Sequence, residues 1–211
     1  AMSGTLVAWN YNGYELDTDI NTLVIPESVD SFGSDTIENP DEILWMDDIK
    51  AILSGEKEGQ VADNRGEDEW NGEYSGYSYH DLAGHLDGAV WCLQGDEENG
   101  TYFYNVDNTP RTQTELKDYM ESNGVDTSKT VAFYCGDSWG AAMIAYWCQS
   151  VDLNNIKEWG NGWIPWSNEG NEFIDHNGKM VHYDKYRDAV LDEDGNDVSD
   201  GTNILADEKK E

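Results

Sequence analysis

The sequence predicts an α/β fold, a doubly wound parallel sheet with helices on both faces, and three observations carry that expectation. Val131-Ala132-Phe133-Tyr134 is an unbroken apolar and aromatic run, the pattern of a strand covered on both faces. The run passes through a tight loop, Cys135-Gly136-Asp137-Ser138-Trp139-Gly140, into a helix whose Ala141, Ile144, Ala145 and Cys148 share one face. Other short strand candidates alternate with helical segments, the order that builds βαβ units.

Residues 1–40 are rich in Asn, Asp, Gly and Ser and lack a sustained period, so they read as an extended lead-in. A helix is expected over Asp41–Leu53, where Ile43, Leu44, Met46, Ile49, Ile52 and Leu53 recur at spacings of three and four. Gln60-Val61-Ala62 is a strand candidate, Gly66 to Trp70 a brief helical turn, and Ala89-Val90-Trp91 a second strand. Thr114–Met120 reads as a helix capped by Thr112 or Thr114 and stopped at Asn123-Gly124. A strand near Ile156-Lys157-Glu158 precedes the Trp- and Gly-rich segment Trp159–Trp166. The domain is expected over 41–175, with 176–211 an acidic, turn-rich extension.

Twelve Lys and Arg against 44 Asp and Glu leave a formal net charge of −32. That field repels phosphate backbones and anionic headgroups, so neither nucleic acid nor a membrane surface is an expected partner. Nine Trp and twelve Tyr bury too much area for a disordered acidic tail, and no run of about 18 apolar residues offers a membrane span. The opening Ala1-Met2 reads as a cloning scar, which leaves open an export signal ahead of it. Cys92, Cys135 and Cys148 lack C-x-x-C spacing and cannot all pair, so at least one thiol is free. Asp192-x-Asp194-x-Asn196 lacks the glycine and closing glutamate of a calcium loop, and neither a metal nor a cofactor is expected.

Trp9-x-x-x-Gly13-x-Glu15-Leu16 reappears 157 residues later as Trp166-x-x-x-Gly170-x-Glu172-Phe173. Either the match is chance, or Ser3–Leu16 is the tail of an earlier copy of the same domain.

Cys135 stands at the carboxyl end of the predicted buried strand, where ligands of open α/β sheets bind. The loop after it brings backbone N–H groups and a helix N-terminus near the sulfur, and that partial positive charge favours an anionic nucleophile. The alternative is that Cys135 is a small buried hydrophobe, as most free cysteines are.

Asp63-x-Arg65, Glu69-Trp70, Gly84-His85-Leu86-x-Gly88-Ala89, Tyr134-Cys135-Gly136 and Gly162-Trp163-x-x-Trp166, in this order over roughly Ile43 to Phe173, resemble the rhodanese-like sulfurtransferase family. Ser75-Gly76-Tyr77-Ser78-Tyr79 and the loop CGDSWG are similar to the tandem branch with a CGTGWR loop, a branch that also fits a preceding repeat ending at Leu16. The resemblance implies a sulfurtransferase: Cys135 takes a sulfane sulfur from a small-molecule donor, becomes a persulfide, and passes it to a thiol or other nucleophile. It makes Cys135 catalytic, and Gly136, Asp137, Ser138, Trp139 and Gly140 the cradle around the substrate. Arg65 matches a substrate-binding or site-supporting arginine, or else it pairs with Asp63 or Glu69.

Two departures bear on activity. Gly140 stands where the family loop has arginine, and Asp137 where it has threonine. Asp137 either repels an anionic donor such as thiosulfate or faces solvent as a helix cap; on the first reading, Asp137→Thr with Gly140→Arg raises thiosulfate transfer. His85 and Cys148 read as structural. The rival to an enzyme is a rhodanese-fold module that binds a partner or carries a persulfide without turnover. The acidic, lysine-poor, aromatic-rich composition suits a secreted or surface protein, with the cytoplasm as the alternative.

Overall fold

The structure, a computed structural model, describes residues 5–17, 27, 33, 35, 36, 39–96 and 100–199. Its elements run α1 (Thr5–Tyr11), a 3-10 turn (Pro40–Glu42), β1 (Ile43–Leu44), α2 (Met46–Leu53), β2 (Gln60–Asp63), α3 (Glu67–Trp70), β3 (Val90–Trp91), β4 (Gly95–Asp96) and β5 (Gly100–Thr101). There follow α4 (Gln113–Ser122), β6 (Val131–Tyr134), α5 (Trp139–Gln149), β7 (Ile156–Trp159), α6 (Trp163–Asn168), β8 (Phe173–Ile174), β9 (Met180–Asp184) and β10 (Ala189–Asp192).

Five strands pair in the order β1-β7-β6-β2-β3, all parallel. All four residues of β6 are buried, and successive side chains enter opposite cores because the strand period is two. Ala132 and Tyr134 pack with Ile49 and Ile52 of α2 and Trp163 and Trp166 of α6. Val131 and Phe133 pack with Leu116 and Met120 of α4 and Ile144, Trp147 and Cys148 of α5. Helices therefore cover both faces, and the carboxyl end of β6 opens between them.

The helix expected over Asp41–Leu53 starts only at Met46. Ile43 and Leu44 instead pair with Glu158 and Trp159 of β7, extended by the bond from the Gly160 amide to the Leu44 carbonyl at 2.9 Å. An apolar residue every three or four positions fits this break as well as a helix, and the open edge of β7 decides between them. In the lead-in the structure adds α1, which no apolar period announced; the remainder of the expected extended arm lies largely outside the described residues. Thr112 is the cap of α4: its hydroxyl accepts the Glu115 amide while the Glu115 carboxylate accepts the Thr112 amide, a capping box.

After residue 175, β9 pairs antiparallel with β8 and β10. Val181 and Val190 enter the same core as Tyr134 and Trp163, so part of the acidic extension is packed against the domain. Among the described residues, no helix is long and apolar enough to cross a membrane.

Candidate active site

Three parallel strand ends build the site. The Asn64 amide bonds to the Tyr134 carbonyl at 3.0 Å, and the Cys92 and Gln94 amides to the Asp63 and Asn64 carbonyls at 2.8 and 3.1 Å. These bonds prolong the β3-β2-β6 ladder past its last pairs and set Asn64, Gln94 and Cys135 side by side. On the far side of the loop, the Trp163 and Ile164 amides take the Cys135 and Gly136 carbonyls, each at 2.9 Å. Two loop carbonyls thus turn toward α6, which removes their negative ends from the sulfur.

Cys135 is 9% exposed and lines a pocket of about 420 Å³ with Asn64, Arg65, Glu69, Tyr77, Gln94, Tyr104 and Gly140. At Gly140 a Cβ would lie 3.6 Å from Cys135 Sγ, 2.9 Å from Asn64 Nδ2 and 2.6 Å from Gln94 Oε1. The glycine therefore lets the amide pair, bonded Nδ2 to Oε1 at 2.8 Å, close over the first turn of α5 beside the sulfur. An arginine there would displace Gln94. At Gly136 a Cβ would meet the Tyr77 ring and hydroxyl at 2.1 Å, so the phenol rests directly on the loop.

Arg65 is buried. Its guanidinium donates to Asp63 from Nη2 at 2.6 Å and from Nε at 3.0 Å, and to the Gly84 carbonyl at 2.7 Å. It also stands 4.7 Å from the Trp163 ring centroid and 5.5 Å from that of Tyr134, within cation–π range. Burial alone would weaken its hold on its proton, but the charge and hydrogen bonds of Asp63 outweigh that and raise it. Its Nη1 faces the other way, buried and without a protein partner.

Glu69 behaves differently. Burial pushes its carboxyl above the usual carboxylate range, against the pull of Arg65 and the Gly66 amide. Oε2 accepts that amide at 3.0 Å, while Oε1 is buried and unpartnered. Burial also raises the Tyr77 phenol, helped by the charges of Glu69 and Cys135. With Asn64 Oδ1 and Arg65 Nη1, residues that line the pocket hold two acceptors and one donor that are buried without a protein partner, and such groups are costly without a ligand or water.

Of the residues singled out in the sequence, Cys135, Arg65 and Gly140 meet at this pocket and Gly136 supports it. Asp137 and Trp139 are exposed, outside the lining. Ser138 is buried at φ 75° with its hydroxyl donating to the Trp159 carbonyl, a bond that holds the loop to β7. His85 stacks on Trp70 at 3.7 Å and meets the Trp70 carbonyl at 2.7 Å through Nδ1, and Cys92 and Cys148 lie in the α4–α5 core. Asn64, Gln94 and Tyr104 carried no signal in the sequence. Glu69 and Tyr77 lay inside segments quoted for the family resemblance, with no role in the site assigned to either.

No family model and no curated protein matches the chain. Among solved structures, wild-type EanB is 26% identical with a TM-score of 0.69, over 82% of this chain and 39% of that one. EanB holding a cysteine persulfide in a tetrahedral intermediate state with ergothioneine is 25% identical at TM-score 0.69, over 80% and 39%. The anaerobic ergothioneine biosynthesis enzyme from Chlorobium limicola, in complex with its natural substrate trimethyl histidine, is 27% identical at 0.67, over 79% and 39%. The chain thus spans about two fifths of the length of these structures. They correct the resemblance to rhodanese-like sulfurtransferases. Each quoted motif is only a few residues long, too local to fix a family, and the structures above are of EanB and of an anaerobic ergothioneine biosynthesis enzyme.

Proposed function

We propose that this domain is a persulfide sulfurtransferase in which Cys135 accepts a sulfane sulfur and delivers it to an N–H-bearing acceptor seated in the pocket, in the manner of the enzymes it is similar to. The cysteine sulfur attacks the transferable sulfur of a donor, forming one S–S bond as that sulfur's bond to the rest of the donor breaks, S–S in thiosulfate or a polysulfide and C–S in a mercapto acid, and the leaving group departs with the electron pair. An acceptor nucleophile then takes the outer sulfur, and Cys135 leaves as thiolate. The N-terminal end of α5, beside the sulfur, stabilises the anionic persulfide.

The observation that supports the acceptor class is the polar wall beside Cys135. Asn64 Oδ1 and Glu69 Oε1 are buried acceptors and Arg65 Nη1 a buried donor without protein partners, on residues that line the pocket, so an occupant that reaches them brings both a donor and an acceptor, as a nitrogen heterocycle does. Repulsion of a doubly charged donor such as thiosulfate requires a carboxylate that faces the pocket. Asp137, exposed and outside the lining, does not take that part.

Mass spectrometry after exposure to thiosulfate, polysulfide and mercapto acids tests the first half: one sulfur is gained on Cys135 and none in Cys135→Ser. Incubating the persulfide form with trimethyl histidine, free histidine and a plain thiol tests the second. Loss of the sulfur to the nitrogenous acceptors supports the proposal. A persulfide that forms but reaches no acceptor favours the rival, a carrier or binding module.

A further inference from the structure

Tyr77 reaches the Cys135 loop from outside the sheet, on a turn whose side chains divide between two anchors. Ser78 and Tyr79 form a two-residue turn across which Tyr77 and His80 pair antiparallel. Residues paired in this way send their side chains to one face, so the phenol and the imidazole leave the turn together. The phenol rests on Gly136, whose amide donates to its oxygen. The imidazole packs on α6, where Nε2 stands 3.0 Å from the Ser167 hydroxyl. The tip itself is in solvent, with Tyr79 69% exposed, whereas His80 and Ser167 are buried.

Proton counting gives that bond its direction. The Ser167 hydroxyl has one proton and donates it to the Trp163 carbonyl, one turn back in α6, at 3.0 Å. It therefore accepts from His80, whose ring is kept neutral by burial, and Nε2–H is the donor. The same helix holds the nucleophile loop, since the Trp163 and Ile164 amides take the Cys135 and Gly136 carbonyls. Thus α6 fixes both sides of the contact, Gly136 from its first turn and the phenol through Ser167. The bonds farther along this stretch, from the Trp163 indole to the Leu82 carbonyl at 3.0 Å and from Arg65 to the Gly84 carbonyl at 2.7 Å, hold the chain beyond His80 and leave the turn to it. Ser75, which accepts the Tyr77 amide and donates to the Tyr77 carbonyl at 3.2 Å, closes the turn on itself and sets no distance to α6.

We propose, resting on the reading of Cys135 as the sulfur carrier, that His80 is a positioning residue for sulfur transfer: by donating to Ser167 it sets the Tyr77 phenol on Gly136, where Tyr77 forms part of the pocket wall beside Cys135. Without the donor the turn keeps its own hydrogen bonds but loses its distance to α6, and the phenol moves off the loop. The acceptor then loses one wall of its seat, and the sulfur loses its screen.

Two rates test it: delivery of sulfur from the persulfide form to trimethyl histidine, and alkylation of Cys135 by iodoacetamide at pH 8, which needs no sulfur transfer. His80→Leu is expected to slow delivery at least tenfold and to speed alkylation at least threefold. His80→Gln, which restores an N–H donor at similar reach, is expected to stay within about twofold of the native protein in both. In a Tyr77→Ala background His80→Leu is expected to add less than about twofold, because the two residues act as one unit. Ser167→Ala removes the other end of the bond and is expected to match His80→Leu, which keeps the test decisive if the leucine variant does not fold. Native rates in both His80→Leu and Ser167→Ala, an equal effect with and without Tyr77, or no rescue by glutamine overturns the proposal. A native protein that delivers sulfur to no acceptor refutes the sulfur-transfer reading instead, and the alkylation rates then decide the placement of the phenol on their own.

Discussion

Asp63→Asn separates the supporting role of Arg65 from a merely decorative ion pair. In the native protein the Arg65–Asp63 contact is 2.6 Å long with side-chain exposures of 1% and 0%. The substitution keeps the shape and leaves a buried guanidinium without its counter-charge, which typically costs about 3–5 kcal/mol. For a domain of this size that converts to a fall in Tm of roughly 6–20 °C. The internal control is Lys57–Asp48, nearly equal in length at 2.7 Å but with exposures of 43% and 34%; Asp48→Asn should cost at most about 1 kcal/mol. Calorimetry of both variants at neutral pH decides. A Tm loss in Asp63→Asn no greater than in Asp48→Asn would refute the argument that Arg65 is held by a desolvated pair.

Burial pushes the Cys148 thiol up to about 12 and raises that of Cys92, so iodoacetamide at pH 8 should label Cys135 first in the folded protein and all three only in urea. Gly136→Ala drives a methyl group into the Tyr77 ring; the strain should cost about 1–3 kcal/mol, and persulfide transfer should fall at least tenfold while far-UV circular dichroism is retained. Burial holds His80 neutral, with its pKa pushed down to about 4, beside the Ser167 hydroxyl at 3.0 Å. The unfolded chain binds that proton from about pH 6.5 downward. Stability should therefore fall between pH 6.5 and 4 more steeply in the native protein than in His80→Gln, as urea titrations at each pH will show.

The sequence by itself determined the β6–loop–α5 unit, the two-sided sheet and the position of Cys135, because these follow from local signals. An unbroken apolar run has no solvent face, and a strand that enters a helix through a short loop leaves its first loop residue at the sheet end. The echo of Trp9 in Trp166 was legible for the same reason, since its hydrogen bonds span only six residues. What only the tertiary structure decided lies in contacts distant along the chain. Asn64 and Gln94 become a site only because β2 and β3 end beside β6, and Tyr77 because it closes on Gly136. Arg65, read as a substrate-binding arginine or as a partner of Asp63 or Glu69, is a buried pair with Asp63 that also lines the pocket. Ile43–Leu44 left the expected helix because β7 offered an unfilled edge. Asp137, two residues from Cys135, could be read as facing the sulfur or as facing solvent, and it lies exposed outside the pocket lining. Adjacency along the chain fixes distance along the backbone and not the side on which a residue points.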